Sequence, residues 1–214
     1  MFLWKRYLHS PAYSLAKTLS VNDEKRLEVL AKYAHRQAKK FPGDFIEMGV
    51  FKGGSALVMV DALAHHRSEH SLHLLDSWEG LPAPGVEDEG AIAYKGVFSE
   101  ASAQDVVRVL DQLQLAKHCL VHKGWFSNTL KNIQGPFALA HIDCDFYDPV
   151  KECLLHLFSR MSIGGIIIVD DVGTESERRF PGVWKAVQDC IAGSGWRVQS
   201  IAGERDQSAV LQRY

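Results

Sequence analysis

Cysteine is scarce in this sequence and badly spaced for chemistry. Four cysteines occur in 214 residues, Cys119, Cys144, Cys153 and Cys190, and no two form a C-x-x-C pair. That spacing excludes a thiolate zinc site and a thioredoxin-like redox pair. Long apolar runs are missing too. Runs such as Ile166-Ile-Ile-Val169 fall far short of the roughly 20 residues of a membrane-spanning helix. An excess of one charge is also missing. Lys and Arg total 24 against 26 for Asp and Glu, a net charge of −2, so no basic field recruits nucleic acid. There is no internal repeat, no Pro/Ser linker and no low-complexity tract. The start carries Lys5 and Arg6 in place of a long apolar stretch, so no secretory leader is expected. With 46% hydrophobic residues, the chain is expected to fold as one domain in the cytoplasm, without disulfides and away from membranes.

What is present is an alternation of helix and strand patterns. Asn22 is placed to cap a helix running from Asp23 to about Lys40, with Leu27, Leu30, Ala31 and Ala34 on one face. Short strands are predicted at 45–48, 72–75, 119–122, 137–142 and 166–169, with helices at 55–65, 100–115, 149–158 and 182–191 between or after them. Two further strands, 196–201 and 208–212, have only a charged turn, Glu204-Arg205-Asp206, between them. The expected fold is α/β: a mostly parallel seven-stranded sheet covered on both faces, with an antiparallel C-terminal hairpin at one edge. Residues 1–40 read as a helical segment, a cap or a dimer contact. Residues 41–214 read as the domain proper. Trp78 to about Phe98, with two prolines and four glycines, is a long and therefore functional loop.

Ligands of such sheets sit beyond the carboxyl ends of the strands. The first strand ends Glu47-Met-Gly49-Val-Phe-Lys-Gly53-Gly54-Ser55, a turn that brings backbone close to a ligand at a helix N-terminus or simply needs glycine for its geometry. The second ends at Asp76, which either accepts from ribose hydroxyls or caps its own turn. The fourth ends His141-Ile-Asp143-Cys-Asp145 and the fifth Val169-Asp170-Asp171. On strands roughly 4.8 Å apart, these carboxylates repel unless a cation offsets them, and an all-oxygen set suits Mg²⁺, Ca²⁺ or Mn²⁺. Strand-end acids that cap the following helices are the plainer reading. His141 is expected to pack on the sheet face, and most other histidines, among them His65, His66 and His70, to be solvated. Met1-Phe-Leu-Trp4 with Tyr7 and Leu8 forms an apolar patch, expected at a dimer contact.

Five segments in order resemble the macrocin O-methyltransferase family: Phe45–Ser55, Leu75-Asp-Ser-Trp-Glu-Gly-Leu-Pro82, Gly124-Trp-Phe-Ser-Asn-Thr-Leu130, His141-Ile-Asp-Cys-Asp-Phe-Tyr147 and Gly164-Gly-Ile-Ile-Ile-Val-Asp-Asp171. The resemblance covers residue 41 to the C-terminus. It implies a Rossmann-like class I fold that binds S-adenosylmethionine and methylates a sugar hydroxyl. It further implies Glu47, Gly49, Gly53 and Ser55 at the methionine end of the cofactor, Asp76 and Ser77 at the ribose, and Gly124 and Trp125 at the adenine. Asp143 would border the cofactor. Asp143, Asp170 and Asp171 would hold Mg²⁺, with Asp143 or Asp145 as general base. Cys144, Asn128 and the Arg179–Lys185 stretch depart from the family pattern, which bears on the acceptor and not on the fold.

A catechol-type O-methyltransferase is the nearest alternative, although no Lys base stands just after Asp143. A nicotinamide oxidoreductase would need a Tyr-x-x-x-Lys pair. Tyr13…Lys17 precedes the cofactor loop, and Tyr147…Lys151 contains Pro149. A non-catalytic cofactor-binding protein would have no use for the repelling carboxylates. The expected partner is a small-molecule or glycoside acceptor.

Overall fold

A computed structural model describes residues 3–173, 178–203 and 206–213. Seven strands form one sheet in the order β3-β2-β1-β4-β5-β7-β6. They are β1 (Asp44–Met48), β2 (Leu72–Asp76), β3 (Cys119–Lys123), β4 (Phe137–Ile142), β5 (Met161–Val169), β6 (Trp196–Ala202) and β7 (Ser208–Arg213). The first five run parallel, and β7 lies antiparallel to both β5 and β6. The strand order reverses between β1 and β4, where open α/β sheets bind ligands.

Alternating side chains build two cores. Phe45, Leu72, Leu74, Leu139, Ile166, Ile168 and Val210 pack on one face, under α1 (Pro11–Leu19), α2 (Glu24–Lys40), α3 (Gly54–His65) and α4 (Ala103–Gln112). Ile46, Leu75, Ala140, Ile142, Ile167, Val169 and Leu211 pack on the other, with the short α5 (Phe126–Thr129), α6 (Tyr147–Leu157) and α7 (Pro181–Ile191). Both faces are dry, so the β4 and β5 sequences read as continuous apolar runs. Among the described residues no helix is long and apolar enough to cross a membrane.

The cap of α2 and the setting of some histidines differ from expectation. Asp23, not Asn22, caps α2, accepting from the Arg26 amide at 2.9 Å, which frees the Asn22 side chain. The segment before α2 is itself folded, as a 3₁₀ turn (Leu3–His9) and α1. Tyr7 stacks on His35 at 3.6 Å between ring centroids, and Leu8 packs on the core of its own chain. The Met1–Trp4 side chains, like Glu204 and Arg205 of the charged turn, lie outside the described residues. His9 and His65 are exposed, but four other histidines pair: His35 Nδ1 lies 3.3 Å from His66 Nε2, and His73 Nδ1 3.1 Å from His122 Nε2. Burial, helped by His66 and His65, pushes His35 down to about 3.

The loop between β2 and α4 is ordered by one carboxylate. Asp88 is buried, and accepts from the Gly85 amide and from the Tyr147 amide at the start of α6, both at 2.8 Å. A Cβ on Gly182, in the first turn of α7, would overlap Asp88 Oδ1, so this helix can approach only as glycine. The Ile92 amide donates to the Arg179 carbonyl at 3.1 Å, a second tie to the chain entering α7.

Candidate active site

Strand register assembles the first layer of the site. Glu47 and His141 are partners across β1 and β4, and His141 pairs with Ile168, two residues before Asp170. Alternation therefore turns Glu47, His141 and Asp170 to the face that α2 covers. His141 bridges the two acids, with Nδ1 2.9 Å from Glu47 Oε1 and Nε2 3.0 Å from Asp170 Oδ2. Ser208 donates its hydroxyl to Asp170 Oδ1. From the helical side, Asn22 Nδ2 donates to Asp170 Oδ2 at 2.7 Å and reaches Asp143 Oδ2 at 3.4 Å. Arg26 Nη1 lies 2.9 Å from Asp171 Oδ1, and its Nη2 donates to Asn22 Oδ1 at 2.5 Å.

Burial works against every charge here, and the partners decide the outcome. Burial lowers the pKa of His141, but Asp170 and Glu47 outweigh it and hold the imidazolium well above its usual range. Burial raises Asp170, but His141 and Arg26 win and hold its carboxyl below the usual range. Glu47 is raised by burial, which His141 offsets only in part. His141 is thus a charged link in a buried network and not sheet-face packing.

The second layer faces a cleft of about 620 Å³, within the usual range for cofactor and small-molecule sites. Asp143, Asp145 and Asp171 line it, with ligand oxygens within 4.8 Å of one another. Burial and then the charge of Asp143 push Asp145 and Asp171 well above the carboxylate range; burial and then Asp170 raise Asp143. Asp145 and Asp171 hold left-handed backbone, φ 64° and 62°, a conformation Asp tolerates and that concentrates at functional sites. This oxygen-only trio fits Mg²⁺. Asp143 and Asp170 of the expected set also group with His141, their ligand atoms within 4.8 Å of one another. Asp170 lies behind the wall, occupied by His141, Asn22 and Ser208, and Asp145 stands in the cleft where it does not.

The same cleft takes in Gly49, Ser55, Asp76, Ser77, Gly124 and Trp125. Asp76 already holds its own loop: Oδ2 accepts from the Val50 and Phe51 amides at 2.8 and 2.9 Å, and Oδ1 from the Trp78 amide at 2.7 Å. Three donors leave part of the carboxylate's acceptor capacity for a ligand hydroxyl. Gly49, at φ 89°, has no room for a Cβ, which would overlap the Asp143 carbonyl oxygen. Its absence of a side chain brings the ends of β1 and β4 together. Gly53 and Glu47 do not line the cleft. Gly53 caps α3 in left-handed conformation, and Glu47 is wholly buried, with Oε2 unpartnered. Trp125 stands 36% exposed on the wall, not in a core. Tyr147 and Lys151 point elsewhere: the phenol donates to Asp189 on α7 at 2.9 Å, outside the cleft, so the oxidoreductase pair is a surface contact.

Asn22, Arg26, His141 and Ser208 are the residues that sequence reasoning did not place in the site. Register parity with Glu47 was the available signal for His141. No local signal exists for Asn22 and Arg26, which arrive from another element.

A sequence model of the family described as Macrocin-O-methyltransferase (TylF) matches residues 10–192. The chain belongs to this macrocin-O-methyltransferase family. It is 30% identical over 151 residues to the 8-demethyl-8-(2,3-dimethoxy-alpha-L-rhamnosyl)-tetracenomycin-C 4'-O-methyltransferase of Streptomyces olivaceus, covering 64% of this chain and 56% of that protein. This family member spans about half the length of the curated relatives it matches, 53–56%. Among solved structures, the O-methyltransferase NovP superposes with a TM-score of 0.72 at 26% identity, over 88% of this chain and 79% of that one. The O-methyltransferase TomG from Streptomyces achromogenes, solved in complex with SAM, shares the fold alone. Its TM-score is 0.66 at 16% identity, and the match covers 100% of both chains.

Proposed function

We propose that this chain transfers a methyl group from S-adenosylmethionine to a hydroxyl of a sugar, or of another vicinal diol on a small molecule, with Mg²⁺ in the cleft. The observation that carries this reading is that Asp143, Asp145 and Asp171 share one cleft with Asp76, Gly49 and Trp125. The family, and the sugar-modifying relative named above, support the hydroxyl acceptor.

Methyl transfer needs the acceptor oxygen about 3–3.5 Å from the sulfonium methyl carbon, and in line with the leaving sulfur. Asp76 and Trp125 hold the nucleoside end in this reading, and the β1 turn at Gly49 the amino-acid end. When bound at the trio, Mg²⁺ lowers the pKa of an acceptor hydroxyl and orients it. In this reading Asp145, in the cleft beside Asp143 and Asp171, accepts the hydroxyl proton. Asn22 already reaches Asp143 Oδ2, whereas no side chain among the described residues donates to Asp145, which favours Asp145 over Asp143 as the base. A labelled methyl-transfer screen over glycosides and catechols tests the reading. Turnover of catechols alone would move the assignment to the catechol type, and no transfer to any hydroxyl would overturn it.

Two predictions concern the cofactor. Asp76→Ala is expected to weaken S-adenosylhomocysteine binding by at least about 1.5–3 kcal/mol, the range for hydrogen bonds to a charged group. The Val50 and Phe51 amides lose their acceptor as well, so their hydrogen exchange should quicken in the same variant. Calorimetry reads the first effect and exchange NMR the second. NADH binding in place of S-adenosylhomocysteine would refute the cofactor assignment. Trp125→Ala should cost about 0.5–1.5 kcal/mol of cofactor affinity if the indole stacks on adenine. Unchanged affinity in the folded variant would remove Trp125 from the site.

A further inference from the structure

Arg26 is the one basic side chain that the N-terminal helical segment sends into the carboxylate cluster, among the described residues. It is 5% exposed. Its Nη1 lies 2.9 Å from Asp171 Oδ1 and 3.8 Å from Asp170 Oδ2, its Nη2 bonds Asn22, and its Nε has no hydrogen-bond partner. Asn22 in turn fixes Asp170. The guanidinium is therefore a fixed, poorly solvated charge, not a mobile surface one. Among the described residues, His141 and Arg26 are the basic groups paired with the cluster of Glu47, Asp143, Asp145, Asp170 and Asp171.

We propose that Arg26 is a resident counter-cation of this cluster and sets how tightly the cluster takes a divalent cation. The proposal rests on the metal reading above. A cation arriving at Asp143, Asp145 and Asp171 meets one ligand already paired and a positive charge directly behind it. The same contact keeps the metal-free carboxylates together. Arg26 thus has two opposed effects: it stabilises the metal-free protein and disfavours the filled site. Its charge acts over the whole trio, whereas its positioning of Asp171 touches one ligand, so the repulsion outweighs the loss of preorganisation when the charge is removed.

Mn²⁺ is the probe, titrated into the full chain by electron paramagnetic resonance, with thermal melting in parallel. Arg26→Gln is expected to bind Mn²⁺ at least about tenfold more tightly than the wild type, since a nearby unit charge in a partly desolvated site is weakly screened. It should melt lower without metal, and gain more from Mn²⁺ than the wild type gains, because a ligand stabilises in proportion to its affinity. Arg26→Lys keeps the charge and should bind Mn²⁺ like the wild type. If Arg26→Gln is unfolded without metal, refolding on addition of Mn²⁺ supports the proposal, and failure to refold overturns it. Equal Mn²⁺ affinity in the wild type and Arg26→Gln overturns the role of Arg26 and leaves the metal reading standing. No Mn²⁺ binding by either protein overturns both.

Discussion

Asp145→Asn is expected to lower methyl transfer by roughly 10²–10⁴-fold, the contribution of a positioned general base. The amide keeps the size of the side chain and cannot take the proton. Affinity for S-adenosylhomocysteine should barely change, because that end of the cleft is formed by the β1 and β2 turns. Asp143→Asn should also lose turnover; both changes remove a ligand and raise the Mg²⁺ needed for half-maximal rate, but only Asp145→Asn should stay slow at saturating Mg²⁺. Turnover in the wild type should fall in acid, because only the carboxylate form of Asp145 accepts a proton. Stopped assays across pH and Mg²⁺ concentration separate these effects. Full activity in Asp145→Asn, or undiminished activity in EDTA, would reduce the cleft acids to strand-end caps.

His141→Phe is expected to cost roughly 3–5 kcal/mol of stability, the usual penalty for breaking a buried ion pair from one side. Asp170 and Glu47 both lose their bridging partner in this variant, and both are fully desolvated. For a chain of this length the melting temperature should fall by about 6–20 °C. The penalty has a pH signature. A histidine whose folded pKa is raised stabilises fully below its unfolded value, about 6.5, and the contribution is lost as pH rises through the folded value. Asp170, whose folded pKa is depressed, contributes above the unfolded carboxylate value and loses its contribution only in strong acid. The gap between wild type and variant should therefore be widest in mild acid, above the unfolded carboxylate range and below about 6.5, and narrow as the pH rises toward alkaline. A variant as stable as the wild type would show that His141 is neutral packing after all.

The mostly parallel seven-stranded sheet, the antiparallel hairpin and the carboxylate-bearing strand ends were legible because they rest on local patterns: apolar runs between turns, and no helix between β6 and β7. Which acids meet in the cleft was not legible. Asp170 and Asp171 are adjacent in sequence, and backbone geometry sends one behind the wall and the other into it, helped by left-handed backbone at Asp171. No pattern of residue types announces that φ. The contribution of residues 1–40 was missed for a related reason. Asn22 looks like a helix cap in isolation, and only the neighbouring Asp23 taking that role releases it to bond residues 121 and 148 positions away. Long-range polar contacts of this kind leave no periodic trace.

The anchoring of Asp88 bears on how acceptors are chosen. Ile92, Ala93 and Tyr94 form one side of the cleft, and Leu19, Ser20 and Val21 the other. The first side is tied to α6 through Tyr147 and to the chain entering α7 through Arg179, and the Gly182 backbone is pressed against the same carboxylate. It thus moves with the helical layer rather than as a hinged flap. The gap between the two sides is a doorway whose width is set before any guest arrives. In the proposed reading, selection among bulky acceptors then becomes a matter of silhouette: a guest that fits the frame passes, and one that does not gains nothing from waiting for the frame to open.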